Sequence, residues 1–211
     1  MLNQKLKKIV QLTTHTQRNW DVSIPFPHPH TEKIVDFTIN HPSRNSWNAN
    51  ENGINYFDLL VITDSSIKRA IYDCSRKNPQ ILAPLVLIWV SKYITATDNG
   101  YSAQYNEDQE VLKEKGVDTF PFLNYMTAMH VGLSSAYANT MAGNLGYKTG
   151  CCKCFTTQST KELKHILGVN QRVELMLGIG EADETKKHNE DQETSFNYGT
   201  IIKEPIKVIN L

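Results

Sequence analysis

The sequence lacks any long apolar run, and this absence separates it from membrane-spanning proteins. Its longest apolar stretch, ILAPLVLIWV at 81–90, has ten residues, whereas a helix that crosses a bilayer needs about 20. The first sixteen residues, MLNQKLKKIVQLTTHT, also lack the apolar core and the small-residue cleavage site of a secretory signal. We therefore expect a soluble protein of the cytoplasm.

The sequence also lacks a charge surplus of either sign. It has 22 Lys and Arg residues against 22 Asp and Glu residues. Proteins whose main partner is nucleic acid or an anionic membrane usually carry a basic surplus, so both partners are disfavoured. The length of 211 residues predicts a single domain over 1–211, and the 40% share of hydrophobic residues is enough for a core and argues against a disordered chain.

Cysteine is scarce, and its spacing is not that of a disulfide scaffold. Of the four cysteines, Cys74 stands alone and the other three lie in the CCKC motif at 151–154. Cys151 and Cys154 form a CxxC pair, but a structural zinc needs four ligands and the chain offers no second CxxC or HxxxH. A redox pair normally opens a helix, whereas this one follows a glycine. Packed reduced thiols are the favoured interpretation, with structural zinc and a redox disulfide as alternatives.

Three common catalytic motifs are missing as well. The chain contains no GxSxG, no P-loop and no GxGxxG. Serine hydrolases, P-loop NTPases and Rossmann dinucleotide binders therefore lack their usual support in this sequence.

Periodicity and breaker residues predict helices and strands in alternation. The three prolines within 17–30 predict an extended segment. The stretch 41–55 is polar and Asn-rich and is predicted to be a loop. Residues 95–119 are predicted to be a variable surface excursion. The charged residues from 182 onward begin a C-terminal extension. Helices are predicted at 2–16, 31–40, 65–76 and 160–167, and strands at 56–63, 82–90, 173–180 and 200–211.

The segment 124–149 is the most informative part of the chain. Small residues alternate with Met, Leu and Tyr at helical spacing, and no proline interrupts them. Gly132 and Gly143 lie inside this helix, where each costs roughly 1 kcal/mol relative to alanine, so a packing reason is expected. The pattern predicts a central helix, either at a subunit interface or as an ordinary buried helix.

Several short motifs become informative when they are taken in order. The order begins with Arg18 in an extended segment and continues with PSRN at 42–45, VITD at 61–64 and NPQILAP at 78–84. It goes on with SSAYANTMAGNLGYKTG at 134–150 and closes with LGV and LGIG near the end of the chain. This order resembles the nitroreductase family of FMN-dependent flavoproteins over about residues 5–181. The wording of NPQILAP and NLGYKTGCCKC is similar to a compact branch found in marine bacteria and their viruses.

The resemblance implies a fold and an activity. The implied fold is α+β, a three-layer α/β/α sandwich with a mostly antiparallel central sheet, dimeric through a long central interface helix. The implied activity is ping-pong transfer of electrons from NAD(P)H through FMN to a nitroaromatic, a quinone or a similar acceptor, with no catalytic side chain. The alternative is a flavin-binding or flavin-free dimeric interaction module without turnover.

The resemblance also assigns residues to the FMN site. Arg18 and Asn19 are the first phosphate contacts, and Lys186 or Lys187 is the late one. The family often has Arg-x-Ser-x-Arg/Lys at the first site, whereas this chain continues from Arg18 as Asn-Trp-Asp-Val, which shifts phosphate binding toward Asn19 or the later lysines. The remaining candidates are Ser43, Arg44 and Asn45 (or Asn48) from the partner subunit, Asn78 and Gln80 at the pyrimidine edge, and the backbone of Thr149, Gly150 and Cys151 beside the ring.

Overall fold

The computed structural model describes residues 3–13, 16–40, 55–75, 77–97, 100–103, 120–153 and 157–186. Five helices and five strands lie within these ranges, together with one 3-10 turn at Pro79–Leu82. The helices are α1 Gln4–Thr13, α2 His28–Ile39, α3 Ser65–Cys74, α4 Phe120–Asn144 and α5 Thr157–Leu167. The strands are β1 Phe57–Ile62, β2 Leu85–Thr97, β3 Gly100–Ala103, β4 Lys148–Cys152 and β5 Gln171–Gly180.

The strands form one antiparallel sheet in the order β1-β2-β5-β4, and β3 folds back on the end of β2. β2 lies between β1 and β5, with Val90 opposite Asp58 on one side and Leu87 opposite Leu177 on the other. Because β2 is covered on both faces, its first half is apolar at every position.

Alternate residues of β2 face two different cores. Val86, Ile88 and Val90 pack on one side with Ile71 of α3 and Leu163 of α5. On the opposite side, Leu85, Leu87 and Trp89 pack with residues of α2 and α4, among them Ile34, Val131, Ala138 and Ala142. The predicted α/β/α sandwich with an antiparallel sheet is therefore present.

The long helix α4 packs against both the sheet and α1. Trp89 Nε1 donates to Ser134 Oγ at 2.8 Å, and Ser134 Oγ donates to the Thr38 carbonyl of α2 at 3.1 Å. A Cβ at Gly143 would lie 2.8 Å from Thr13 Cγ2, so glycine at this position permits the close approach of α1. This contact is the packing reason expected for Gly143.

Several predicted boundaries were wrong. Helix α2 begins at His28 rather than at residue 31, because Pro29 lies in its first turn, where the missing N–H is not needed. Residues 95–97 are the end of β2 and residues 100–103 are the strand β3, rather than surface excursion. Helix α4 begins four residues earlier than segment 124–149.

Four predicted segments fall mostly or wholly outside the described residues. They are the loop at 41–55, the later part of the excursion at 95–119, the C-terminal extension from 182 onward, and the strand at 200–211 within it. Among the residues that the structure does describe, no helix is long and apolar enough to span a bilayer.

Candidate functional site

The outer edge of β4 is covered by the extended segment that follows α1. The backbone N–H of Gln17 donates to the Thr149 carbonyl at 3.0 Å. A Cβ at Gly150 would collide with the Gln17 carbonyl oxygen, so only glycine allows β4 and the segment around Gln17 to come this close. Arg18, the residue after Gln17, is thereby fixed beside Thr149 and Gly150.

Asn19 connects the same segment to the chain beyond β5. Its backbone carbonyl accepts from the Asp183 N–H at 3.0 Å, and its Nδ2 donates to the carbonyls of Asp183 at 2.8 Å and Lys186 at 3.1 Å. Trp20 continues this pairing through an isolated bridge to Ala182. Arg18 and Lys186, which are far apart in sequence, are therefore held in one part of the fold by Asn19.

The 3-10 turn at Pro79–Leu82 also contacts β4. Gln80 Nε2 donates to the Cys151 carbonyl at 2.7 Å, and Asn78 Nδ2 donates to Cys152 Sγ. Asn78 Oδ1 also accepts from the Gln80 N–H at 3.0 Å, which caps the turn. Both side chains are buried, so in this structure their amides bond to the protein itself.

Asn139 of α4 reaches β4 from the helical layer. Its Oδ1 accepts from Thr149 Oγ1 at 2.6 Å, and its Nδ2 lies 3.8 Å from Cys151 Sγ. Loss of hydration raises the pKa of the Cys151 thiol, so at neutral pH it is a thiol rather than a thiolate. Cys151 is thus not activated as a nucleophile.

Acidic residues pair with two of the lysines near this edge. Lys186 Nζ lies 3.3 Å from Asp183 Oδ2, and Lys148 Nζ lies 2.7 Å from Glu184 Oε1. Hydrogen bonds from Thr185 and Lys186 lower the pKa of Asp183, with the Thr185 hydroxyl as the main cause. The carboxylate of Asp183 is therefore available as an acceptor throughout the neutral range.

The CCKC motif forms no cross-link within the described residues. Cys74, Cys151 and Cys152 are free thiols, and Cys154 lies outside the described ranges. No group of three His, Cys, Asp or Glu side chains in the described part of the chain could hold a metal ion.

The structure brings most of the sequence-predicted residues to this one edge. Those that meet around β4, directly or through Asn19, are Arg18, Asn19, Asn78, Gln80, Thr149, Gly150, Cys151 and Lys186. Ser43, Arg44, Asn45 and Lys187 lie outside the described residues, and their roles stay predictions.

Sequence reasoning missed other residues of the same edge. Gln17, Asn139 and Asp183 make several of its hydrogen bonds. Gln17 directly precedes Arg18 and was detectable as its neighbour. Nothing in the local pattern distinguishes Asn139 or Asp183 from other polar surface residues.

Comparison with solved structures identifies the fold. The FMN-dependent nitroreductase of Clostridium difficile R20291 matches with a TM-score of 0.58 and 16% identity, over 86% of this chain and 90% of that one. Nitroreductase A of Vibrio parahaemolyticus matches with a TM-score of 0.63 and 12% identity, over 100% and 80%. The chain has the nitroreductase fold.

A third structure with the nitroreductase fold has a nucleotide bound. The NADPH:FMN oxidoreductase of Vibrio harveyi, solved in complex with NAD+, matches with a TM-score of 0.61 and 12% identity, over 99% of this chain and 80% of that one. No family model matches the sequence. No curated protein matches it either. These structures confirm the predicted nitroreductase-like fold. At 12–16% sequence identity the similarity concerns the fold alone.

Proposed function

We propose that this chain is a homodimeric flavoprotein that binds FMN and passes electrons from NAD(P)H to a small acceptor such as a nitroaromatic or a quinone. The observation that carries the proposal is the convergence of Arg18, Asn19 and the backbone of Thr149–Cys151 on one edge of a nitroreductase-fold sheet. The solved proteins with this fold include an FMN-dependent nitroreductase and an NADPH:FMN oxidoreductase.

The donor set at this edge fits the phosphate of FMN. A phosphate is held best by a guanidinium, which offers several N–H donors in a fixed plane. Arg18 is anchored through the Gln17–Thr149 hydrogen bond on one side and the Asn19–Asp183 hydrogen bonds on the other. We therefore assign the main phosphate contact to Arg18. Lys186 takes a smaller share, because its ammonium also faces Asp183.

The chain's own residues act by position and charge. Bound FMN supplies the hydride and electron transfer. The edge of β4 supplies fixed backbone dipoles beside the ring, and such preorganised groups cost no reorganisation when charge develops. Ionised carboxylates and a thiolate are not required, which agrees with the raised pKa of Cys151.

The absorbance spectrum of the purified protein is the first test. We expect flavin bands that are bleached by NAD(P)H and restored by an acceptor. Arg18→Ala should weaken FMN binding tenfold or more, since a hydrogen bond to a charged group contributes roughly 1.5–3 kcal/mol. Quenching of FMN fluorescence on titration with protein measures this affinity.

Arg69→Ala is the matched control, because Arg69 lies on the exposed side of α3 and pairs with Asp73. It should leave the affinity for FMN unchanged. A protein that stays colourless after incubation with FMN would contradict the proposal. Such a protein, if it is still dimeric, would instead be the interaction module named as the alternative.

A further inference from the structure

Gln80 holds the backbone of β4 at the position where the flavin ring is proposed to lie. Its Nε2 donates to the Cys151 carbonyl at 2.7 Å, and the side chain is 3% exposed. The turn that carries Gln80 is itself fixed, because Trp20 Nε1 donates to the Pro79 carbonyl at 2.9 Å and Asn78 Oδ1 caps the Gln80 N–H. The amide of Gln80 therefore reaches β4 from a rigid support.

The pairing of β4 shows which way Cys151 directs its backbone groups. In an antiparallel strand, a residue's N–H and C=O point to the same side, and successive residues alternate. The Thr149 carbonyl accepts from Gln17, so Thr149 points away from β5. Cys151, two residues on, points the same way, so its N–H lies on the edge where Gln80 holds its carbonyl.

We propose that Gln80 is a positioning residue: its amide occupies the Cys151 carbonyl oxygen, so that of the two backbone groups that Cys151 directs to this edge only the N–H is left for the flavin. The inference rests on the proposed function. It gives Gln80 a different role from that of a direct flavin ligand, because the amide nitrogen is already engaged by the protein.

The expected consequence of removing Gln80 is a change in the midpoint potential of bound FMN. Reduced flavin carries more negative charge than oxidised flavin, so a fixed N–H donor favours the reduced form and a nearby carbonyl oxygen opposes it. Without Gln80 the Cys151 carbonyl oxygen loses this donor and lies uncapped on the same edge as the N–H. Reduced FMN then binds less tightly relative to oxidised FMN.

Gln80→Leu is the main variant, and the midpoint potential of bound FMN is the main measurement. We expect the ratio of reduced to oxidised affinity to fall about tenfold, which for a two-electron couple is about 30 mV more negative. Backbone hydrogen exchange of β4 should also become faster in the variant, with or without FMN. Gln80→Met, nearly the same size and without a donor, should shift the potential in the same direction and serves if the leucine variant does not fold.

Ile81→Val is the matched control, because Ile81 is buried in the same turn and its truncation loosens packing without removing the hydrogen bond. It should leave the potential and the exchange of β4 unchanged. Equal shifts in Ile81→Val and Gln80→Leu would overturn the inference, as would an unchanged potential in both Gln80 variants. Weaker binding of both redox forms with unaltered exchange would overturn it too, since that is the behaviour of a direct ligand.

The two proposals fail in different ways. If the wild-type protein binds no FMN, the proposed function fails, and with it the assignment of Gln80 toward a flavin. If FMN binds and is reduced normally but the Gln80 variants match the wild type, only the positioning role is wrong.

Discussion

Gly132 and Gly143 lie in the same helix but meet different surroundings. Gly143 faces α1, where Thr13 and Ile9 leave no room for a side chain. Gly132 is exposed, and no atom of the described residues lies within 4 Å of a Cβ placed there. The packing of Gly143 against α1 offsets its helix cost, whereas the part of the chain that the structure describes offers no packing reason for Gly132.

His130 is the residue of α4 whose protonation is coupled to folding. Its ring lies 4.8 Å from the ring of Tyr56, and burial lowers its pKa from the ordinary 6.5. The unfolded chain therefore takes up the proton at a higher pH than the folded chain. The free energy of unfolding should consequently decrease as the pH falls through about 6.5.

His130→Gln should reduce this pH dependence. We expect the slope of unfolding free energy against pH between 7.5 and 5.5 to become flatter, because the variant has no imidazole to protonate on unfolding. Urea unfolding at several pH values measures it. Thr140→Gln, at an exposed position of the same helix, should keep the wild-type slope. Identical slopes in wild type and His130→Gln would show that His130 is not the group responsible.

At the scale of elements, helix α3 is joined to the turn before β2 by a buried lysine. Lys68 Nζ donates to the carbonyls of Ala83 at 2.9 Å and Pro84 at 3.0 Å. Burial lowers the pKa of Lys68, and the nearby Asp64 opposes this effect. Ala83 and Pro84 connect the end of the 3-10 turn to the start of β2, so Lys68 fixes the direction in which β2 begins.

Lys68→Met should destabilise the fold. Methionine retains the long apolar stem but leaves two carbonyls without their donor, which typically costs roughly 1–3 kcal/mol of unfolding free energy. Chemical denaturation measures the loss. Lys33→Met, an exposed lysine on α2, should change the stability by less than about 0.5 kcal/mol. A Lys68→Met protein as stable as this control would show that the carbonyls find other partners.

At the scale of the whole molecule, α4 exposes a face of small residues. Ala128, Gly132 and Ala136 lie four residues apart on this face and are all exposed. Such a face lets a second helix approach closely, and a two-fold dimer would place the same patch of both copies in contact. The predicted homodimer would in this way explain Gly132.

Gly132→Trp should prevent this association. An indole in the centre of the face blocks close approach, so we expect the variant to be monomeric, or its dimer to dissociate at a concentration at least tenfold higher. Light scattering measures the mass of each protein. Lys33→Trp on α2 is the control and should behave as the wild type does. A wild-type protein that is a stable FMN-loaded monomer would refute the dimer.

Some elements were predictable because their information is local. The run 85–90 is apolar at the positions that face each side of a strand, so a strand covered on both faces follows from the residues themselves. Gly168 ends α5 with φ +67°, a conformation that glycine adopts freely. Pro29 was misleading because proline is excluded from the interior of a helix but not from its first turn. The position of the preceding residues decides whether Pro29 lies in the interior or in the first turn.

The sequence by itself determined the composition of the layers and the chemistry available at the site: a guanidinium at 18, a position without a side chain at Gly150, and amides at 78 and 80. Only the tertiary structure decided which of these groups bond to other parts of the protein. The amides of Asn78 and Gln80 bond to Cys152 and Cys151, and Asn19 joins a segment 164 residues away. Such pairings depend on how the layers pack, and periodicity within one element carries no information about its distant partners.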